Sequence, residues 1–362
     1  MAEFHVPPLT LQGAIEQAAA SADVENIIEI GEVHIFTSSH EIIDDFSADR
    51  KLIIRPRRGL RRATIASTDG GHPIFSITGG AGHVMFQDLD IVRRCTNFCD
   101  LMLLGDSNNI TIERCRIGSI WDSEGDPGTL PVGWGNLLVK DPTDIVVRNS
   151  IFFAYRHGTF GCGIRIIFDT ARGCSFLLYN NVIADHRNYG IHATSPLESD
   201  AFLLLRNNVV VNHPDADPEP VPYHSEFRDM IVETSYNAAF VSLQDVETTA
   251  AGAQSISGEA GTDFARRARA QVDGAFVLHT WVMDPEWDPN VDFYRLARGG
   301  PLHSEPADAG TNVKMGEPHE RDVAVTDDIE KHHRPAGIPL HTDRGADQIG
   351  EEDMLPHVEI LR

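Results

Sequence analysis

Two tripeptides one repeat apart carry the most pointed chemistry in this chain, Gly163-Ile-Arg165 and Gly190-Ile-His192. If the two segments stack on adjacent strands, Arg165 and His192 fall in one column. Alternation then sends Ile164 and Ile191 to the opposite face, toward a core. An arginine in that position neutralises a carboxylate, and a neutral imidazole beside it abstracts the proton on the adjoining carbon. β-Elimination of a uronic acid requires that division of labour, because negative charge builds next to the carboxylate. The same two residues also suit a solvated outward face, and that alternative stays open.

A second constellation reads as a binding stripe. Tyr155, Arg156 and His157 align with His186, Arg187 and Asn188. His213 continues the column of Tyr155 and His186, and Trp121 shares one with Arg156 and Arg187. Aromatic faces take sugar rings, and arginine fixes carboxylate or sulfate groups. His157 is an alternative acid/base group. A turn region in which His and Arg cap carbonyls would look the same. A third set is acidic: Asp106 in GDS, Asp141 in KDP and Asp169 in FDT fall at matching turns. Stacked carboxylates suit Ca²⁺, but Asp also starts turns by bonding its own backbone. Lys140 reads as the salt-bridge neighbour of Asp141. A glycoside hydrolase would instead need two acids at defined spacing, with Asp122, Asp169 and Asp185 as candidates.

The elements that must position these residues are written as a repeat. Six phrases recur: FQDLDI from Phe86, IERCRI from Ile112, VRNSIF from Val147, LYNNVI from Leu178, LRNNVV from Leu205 and VETSYN from Val232. Their starts are 26, 35, 31, 27 and 27 residues apart. Self-similarity at that period means a solenoid, each turn burying its apolar face against the next. No repeat shows the helical half of a leucine-rich repeat; the copies read as strand, turn, strand. Aligning them stacks Leu89, Cys115, Ser150, Asn181, Asn208 and Ser235. Asn amides in such a column bond along the stack, so Asn180, Asn181, Asn207 and Asn208 read as ladder and turn residues. Further strands precede the phrases, in LMLLGDS from Leu101, GNLLVKD from Gly135, GIRIIFD from Gly163 and GIHATSP from Gly190. The longest steps hold insertions at 122–133 and 157–162, and solenoid insertions collect on one side, often the binding side.

The ends read differently. Thr10 is an N-cap for a short helix to Ala20, with Leu11, Ala14, Ile15, Ala18 and Ala19 on its apolar face. Residues 1–25 are thus expected to cap a solenoid over 26–246, with 247–362 wrapping or capping it as part of the same domain. The start, MAEFHVPPLT, lacks the basic and apolar regions of a signal peptide, and no apolar run suits a membrane span. Net charge is −24, from 54 acidic and 30 basic residues, which argues against nucleic acid as a partner. The five cysteines, Cys95, Cys99, Cys115, Cys162 and Cys174, are odd in number and scattered, so neither a disulfide framework nor a zinc site is expected. His332, His333 and His341 form no metal-ligand pattern.

The helix–strand opening and the Asn-Asn-Val phrases resemble right-handed parallel β-helix proteins of the pectate-lyase-like superfamily. The tail resembles it too: Asp292-Phe-Tyr-Arg-Leu296, Gly299-Gly-Pro301, Asp308-Ala-Gly310, Arg334-Pro335 and Asp343-Arg-Gly-Ala346 follow in the order common to bacterial β-helix proteins that act on polysaccharides. The resemblance covers nearly the whole chain. It implies an all-β, right-handed parallel β-helix, a polysaccharide or oligosaccharide partner, and an extracellular or cell-surface location, with the cytosol as the alternative that the signal-free start leaves open. Pectate lyases bind Ca²⁺ through clustered carboxylates and use Arg or Lys as base; polygalacturonase-type hydrolases use an Asp-Asp pair; alginate epimerases carry Asp-Pro-His. None of these motifs lies in the central coils, where Asp44-Asp45 comes too early. The expected activity is therefore a polysaccharide lyase built on Arg165 and His192. A non-catalytic glycan-binding or structural solenoid and a glycoside hydrolase are the alternatives.

Overall fold

The computed structural model describes residues 1–31, 34–36, 39–43, 46–47, 49–67, 72–94, 101–120, 134–155, 161–169, 174–186, 189–194, 202–206, 208–212, 221–226, 231–235 and 238–241, and five short strands between 265 and 323. Within them the chain is an all-β parallel solenoid with one short helix. Three sheets run its length, and the chain visits them in the order A, B, C in each coil. Sheet A holds nine strands: Ala2–Val6, Glu25–Ile30, Lys51–Pro56, Val84–Gln87, Thr111–Glu113, Ile145–Arg148, Ser175–Tyr179, Phe202–Arg206 and Ile231–Ser235. Sheet B runs from His34–Phe36 through Leu89–Arg94, Arg116–Ile120, Ile151–Tyr155 and Val182–His186 to Ala265–Ala268. Sheet C runs from His40–Ile42 through Phe75–Ile77, Met102–Gly105, Trp134–Lys140, Gly161–Ile167 and Tyr189–Thr194 to Val221–Glu226. No helix among the described residues is long and apolar enough to cross a membrane.

Alternation explains which side chains make the core. On sheet C the residues Phe75, Ile77, Met102, Leu104, Leu137, Val139, Ile164, Ile166, Ile191 and Ala193 are all fully buried in one cluster. Sheet A contributes Leu52, Ile54, Phe86, Ile112, Val147, Phe176, Leu178, Leu203 and Leu205 to that cluster, and sheet B contributes Ile65, Ile91, Ile117, Phe152 and Ile183. In the later coils sheet A is buried on its outer side as well. Val146, Leu177 and Leu204 share a register position there and form a separate cluster with Tyr179. That is why Ser175–Tyr179 reads as an unbroken apolar run rather than an alternating one.

The corner between sheets A and B accounts for the polar pair in each repeat. Its first residue takes a left-handed backbone: Asp88 at φ 57°, Arg114 at 52°, Asn149 and Asn180 at 50°. Asn and Asp tolerate that region best. Its second residue makes the ladder. The backbone N–H of Cys115 donates to Ser150 Oγ at 3.1 Å, that of Ser150 to Asn181 Oδ1 at 2.9 Å, and that of Asn181 to Asn208 Oδ1 at 3.1 Å. Asn181 Nδ2 donates to Val147 O at 3.0 Å, and Asn208 Nδ2 to Leu178 O at 2.9 Å. The ladder reading holds for the described columns. Its last step differs: Leu205 pairs with Thr234, not Val232, so Ser235 sits opposite Arg206 rather than Asn208. Val209 pairs with Ala238, which points the column at Asn237, a position outside the described residues.

The N-terminal helix is Leu11–Ala20, and the Thr10 side chain accepts from Gly13 N at 3.1 Å. Leu11, Ala14, Ile15 and Ala18 are buried in the core end. One strand precedes it: Ala2–Val6 pairs in parallel with the strand from Glu25, so sheet A begins ahead of the helix. The expected wrapping of 247–362 lies almost wholly outside the described residues.

Candidate functional site

Register defines one outward column on sheet C. Glu41 pairs with Ser76, Ser76 with Leu103, Leu103 with Leu138, Leu138 with Arg165, Arg165 with His192, and His192 with His224. Parallel neighbours are about 4.8 Å apart. The residues flanking each of these in Phe75–Ile77 through Tyr189–Thr194 belong to the core, so the column faces away from it. Arg165 and His192 are therefore adjacent and share a face, as their tripeptides imply. Arg165 and Leu103 are half-buried, whereas Leu138 and His192 each retain 8% exposure.

The neighbouring positions on this face complete the setting. Gly163 and Gly190, two residues before Arg165 and His192, share their side of the strand by alternation. They present no side chain there, which permits close approach to backbone. Lys140 follows Leu138 by two positions and pairs with Ile167, which places it diagonal to Arg165. Diagonal neighbours of this kind lie roughly 7–8 Å apart, within reach of long side chains. Lys140 is exposed and, among the described residues, forms no ion pair, so it is not the salt-bridge neighbour of Asp141 that the sequence suggests.

The segments leading from sheet B into sheet C include the long insertions. Trp121, Asp122, Arg156, His157, Arg187 and His213 all fall there, outside the described residues. Tyr155 and His186 end strands of sheet B, with their side chains outside the description, as is that of Asp185. Direct pairing of those strands reaches Phe153 opposite Ala184. Arg94 and Ile120 precede Tyr155 at its register position. A register irregularity follows Ala184, and His186 pairs with Asn212 rather than falling in line with His213. A one-residue irregularity of this kind is what a β-bulge produces, and no repeat spacing announces it.

The acidic column resolves into turn residues. Asp106 and Asp141 share a register position and both take left-handed backbone, at φ 48° and 45°, following Gly79 at 72°. Asp169 does not join them, because Lys140 pairs with Ile167 and the next position is therefore Phe168. Among the described residues the group with ligand atoms mutually within 4.8 Å is Glu3, His5 and Glu29, at the other end of the molecule. There Glu29 already has Arg55 at 3.2 Å and His5 at 3.6 Å.

A further ionic cluster lies at the A–B corner. Asp90 takes two bonds from Arg116, at 2.6 and 2.5 Å, and faces Arg62 at 3.5 Å. Arg114 bonds Asp88 at 2.8 Å and also Glu113, which faces Arg148 at 3.2 Å. Burial, then the neighbouring Arg116, pulls Arg62 down to about 10 despite Asp90 and Asp88. Cys115 beside it is pushed up to about 12 by burial, which keeps it a neutral thiol. Cys115, Cys162 and Cys174 are free and buried, and Cys95 and Cys99 lie outside the described residues. All seven ionic side chains at this corner pair with one another, which is a structural use of charge.

Sequence alignment misses Lys140 on the sheet C face and the register position of His224 opposite His192. His224 is hidden because Val221-Pro-Tyr-His breaks the Gly-Ile-X pattern of the two preceding coils. Comparison of the chain with protein-family models, curated proteins and solved structures finds no match.

Proposed function

We propose that the protein cleaves a uronic-acid-containing polysaccharide by β-elimination. The observation that carries this reading is the in-register pairing of Arg165 with His192 on the outward side of sheet C, beside two glycines and diagonal to Lys140. The Arg165 guanidinium, assisted by the Lys140 ammonium, neutralises the uronate carboxylate and so acidifies the neighbouring C5–H. Neutral His192 takes that proton. The C–H electrons form the C4–C5 double bond, the bond from C4 to the glycosidic oxygen breaks, and that oxygen takes a proton from water, whose hydroxide in turn takes the proton from His192 and restores the neutral base. A positioned base contributes about 10²–10⁴-fold to such a step, and fixed cations at the developing charge contribute comparably.

One observation favours a second reading, a non-catalytic glycan-binding or structural solenoid. His192 keeps only 8% of its surface exposed, which suits a residue packed in place. Arg165→Ala and His192→Ala separate the two. On the elimination reading each variant loses at least about 100-fold in turnover with an unchanged circular dichroism spectrum. Full turnover in either variant rejects the assignment.

A further inference from the structure

The charge along the outward face of sheet C is uneven, and the unevenness has consequences for the substrate. Its cations among the described residues, Arg165 and Lys140, sit on two adjacent coils. Toward the N-terminal end the column continues as Leu138, Leu103 and Ser76 and finishes at the exposed Glu41. In the parallel column Lys140 is followed by Ile167, Thr194 and then Glu226, at the other end. Among the described residues the face is therefore cationic at Arg165 and Lys140, uncharged through Leu138, Leu103 and Ser76, and acidic at Glu41.

A pyranose ring is about as long as one coil step of roughly 4.8 Å. A polysaccharide lying along the solenoid axis thus meets a new register position with about every sugar. Among the described residues, only Arg165 and Lys140 offer a sugar lying over them a counter-charge for a carboxylate. A uronate over the half-buried Leu103 would lose water without gaining a partner, which is costly for a charge. One over Glu41 would be repelled. The apolar faces of neutral sugars, by contrast, suit leucine. The net charge of −24 adds repulsion of densely anionic polymers at longer range.

We infer that the site accepts isolated uronates, so that the substrate class is a polymer in which each uronic acid is flanked by uncharged sugars, and not a homopolyuronate. The inference rests on the elimination reading for its chemistry but on the charge pattern for its specificity.

The test compares a homopolyuronate with a polymer alternating uronate and neutral sugar, using release of unsaturated product as the rate. The expected result is a kcat/KM at least tenfold higher on the alternating polymer. Leu103→Arg, which adds a cation two coils from Arg165, and the exposed Glu41→Arg should each narrow that ratio. Cleavage of the homopolyuronate as fast or faster overturns the inference while leaving elimination intact. If neither polymer yields unsaturated product, elimination itself fails, and calorimetric binding of the same two polymers decides the specificity. At least tenfold tighter binding of the alternating polymer supports the inference; equal or absent binding overturns it.

Discussion

Replacing Asn181 by alanine tests the ladder where it is most completely described. The Asn181 side chain is fully buried. Its Oδ1 accepts from Ser150 N at 2.9 Å, and its Nδ2 donates to Val147 O at 3.0 Å and to Asn208 Oδ1 at 3.0 Å. Alanine leaves the Ser150 N–H and the Val147 carbonyl without these partners. Asn208 Oδ1 is not orphaned, because the Asn181 backbone N–H still reaches it at 3.1 Å. A buried polar group left unpaired costs about 1–3 kcal/mol, so two of them give about 4 kcal/mol. Serine should do much better, since the chain already uses it one coil earlier: Ser150 Oγ accepts from Cys115 N at 3.1 Å and donates to Arg148 O at 2.8 Å. Asn181→Ser should therefore cost roughly 1–2 kcal/mol. Urea unfolding followed by circular dichroism reads both, with an unchanged slope confirming that the native state is compared with the same unfolded chain. The reasoning is refuted if alanine costs under about 1 kcal/mol, or if serine is no better than alanine.

Two other consequences follow from buried charge. Asp90→Ala removes the carboxylate between Arg116 and Arg62; unfolding should become easier by about 3–5 kcal/mol, whereas replacing Asp90, Arg116 and Arg62 together by leucine should recover most of that loss. An Asp90→Ala variant as stable as the parent in urea would contradict this. His40 is 3% exposed, packs against Phe75 at 5.7 Å between ring centroids, and is held down to about 4 by burial. The unfolded chain takes up its proton near the ordinary 6.5, before the folded one does. Stability should thus fall as pH drops below about 6.5 and level off below about 4, a loss of about 3 kcal/mol. Thermal unfolding across that window should show a shallower acid-side decline in His40→Phe; an identical decline would rule out His40 as its source.

How much of this was legible in the residues follows from what each feature depends on. The solenoid was, because stacked strands repeat their side-chain types: Ile112, Val147 and Leu178 announce the period and then pair in the structure. So was the neighbouring placement of Arg165 and His192, since each follows a Gly-Ile pair. The helix cap at Thr10 needed only local chemistry. What was not legible depends on register changes that leave no spacing signal. The shift of two residues between Phe202–Arg206 and Ile231–Ser235 misplaced Ser235. The irregularity after Ala184 took His213 out of line with His186. Asp169 aligns with a column where Phe168 belongs, because an Asp closes each of the three strand segments, GDS, KDP and FDT. His224 shares a register with His192 but not its sequence context, so only strand pairing reveals it.

The most direct test of elimination at Arg165 and His192 is the mass of the products released from a uronic-acid oligosaccharide of defined length. Elimination predicts two fragments whose masses sum to that of the substrate, one of them unsaturated and absorbing in the ultraviolet. Fragments whose masses sum to substrate plus one water, with no ultraviolet absorbance, would show hydrolysis and contradict the account; an unchanged substrate would leave the solenoid without the activity assigned to it.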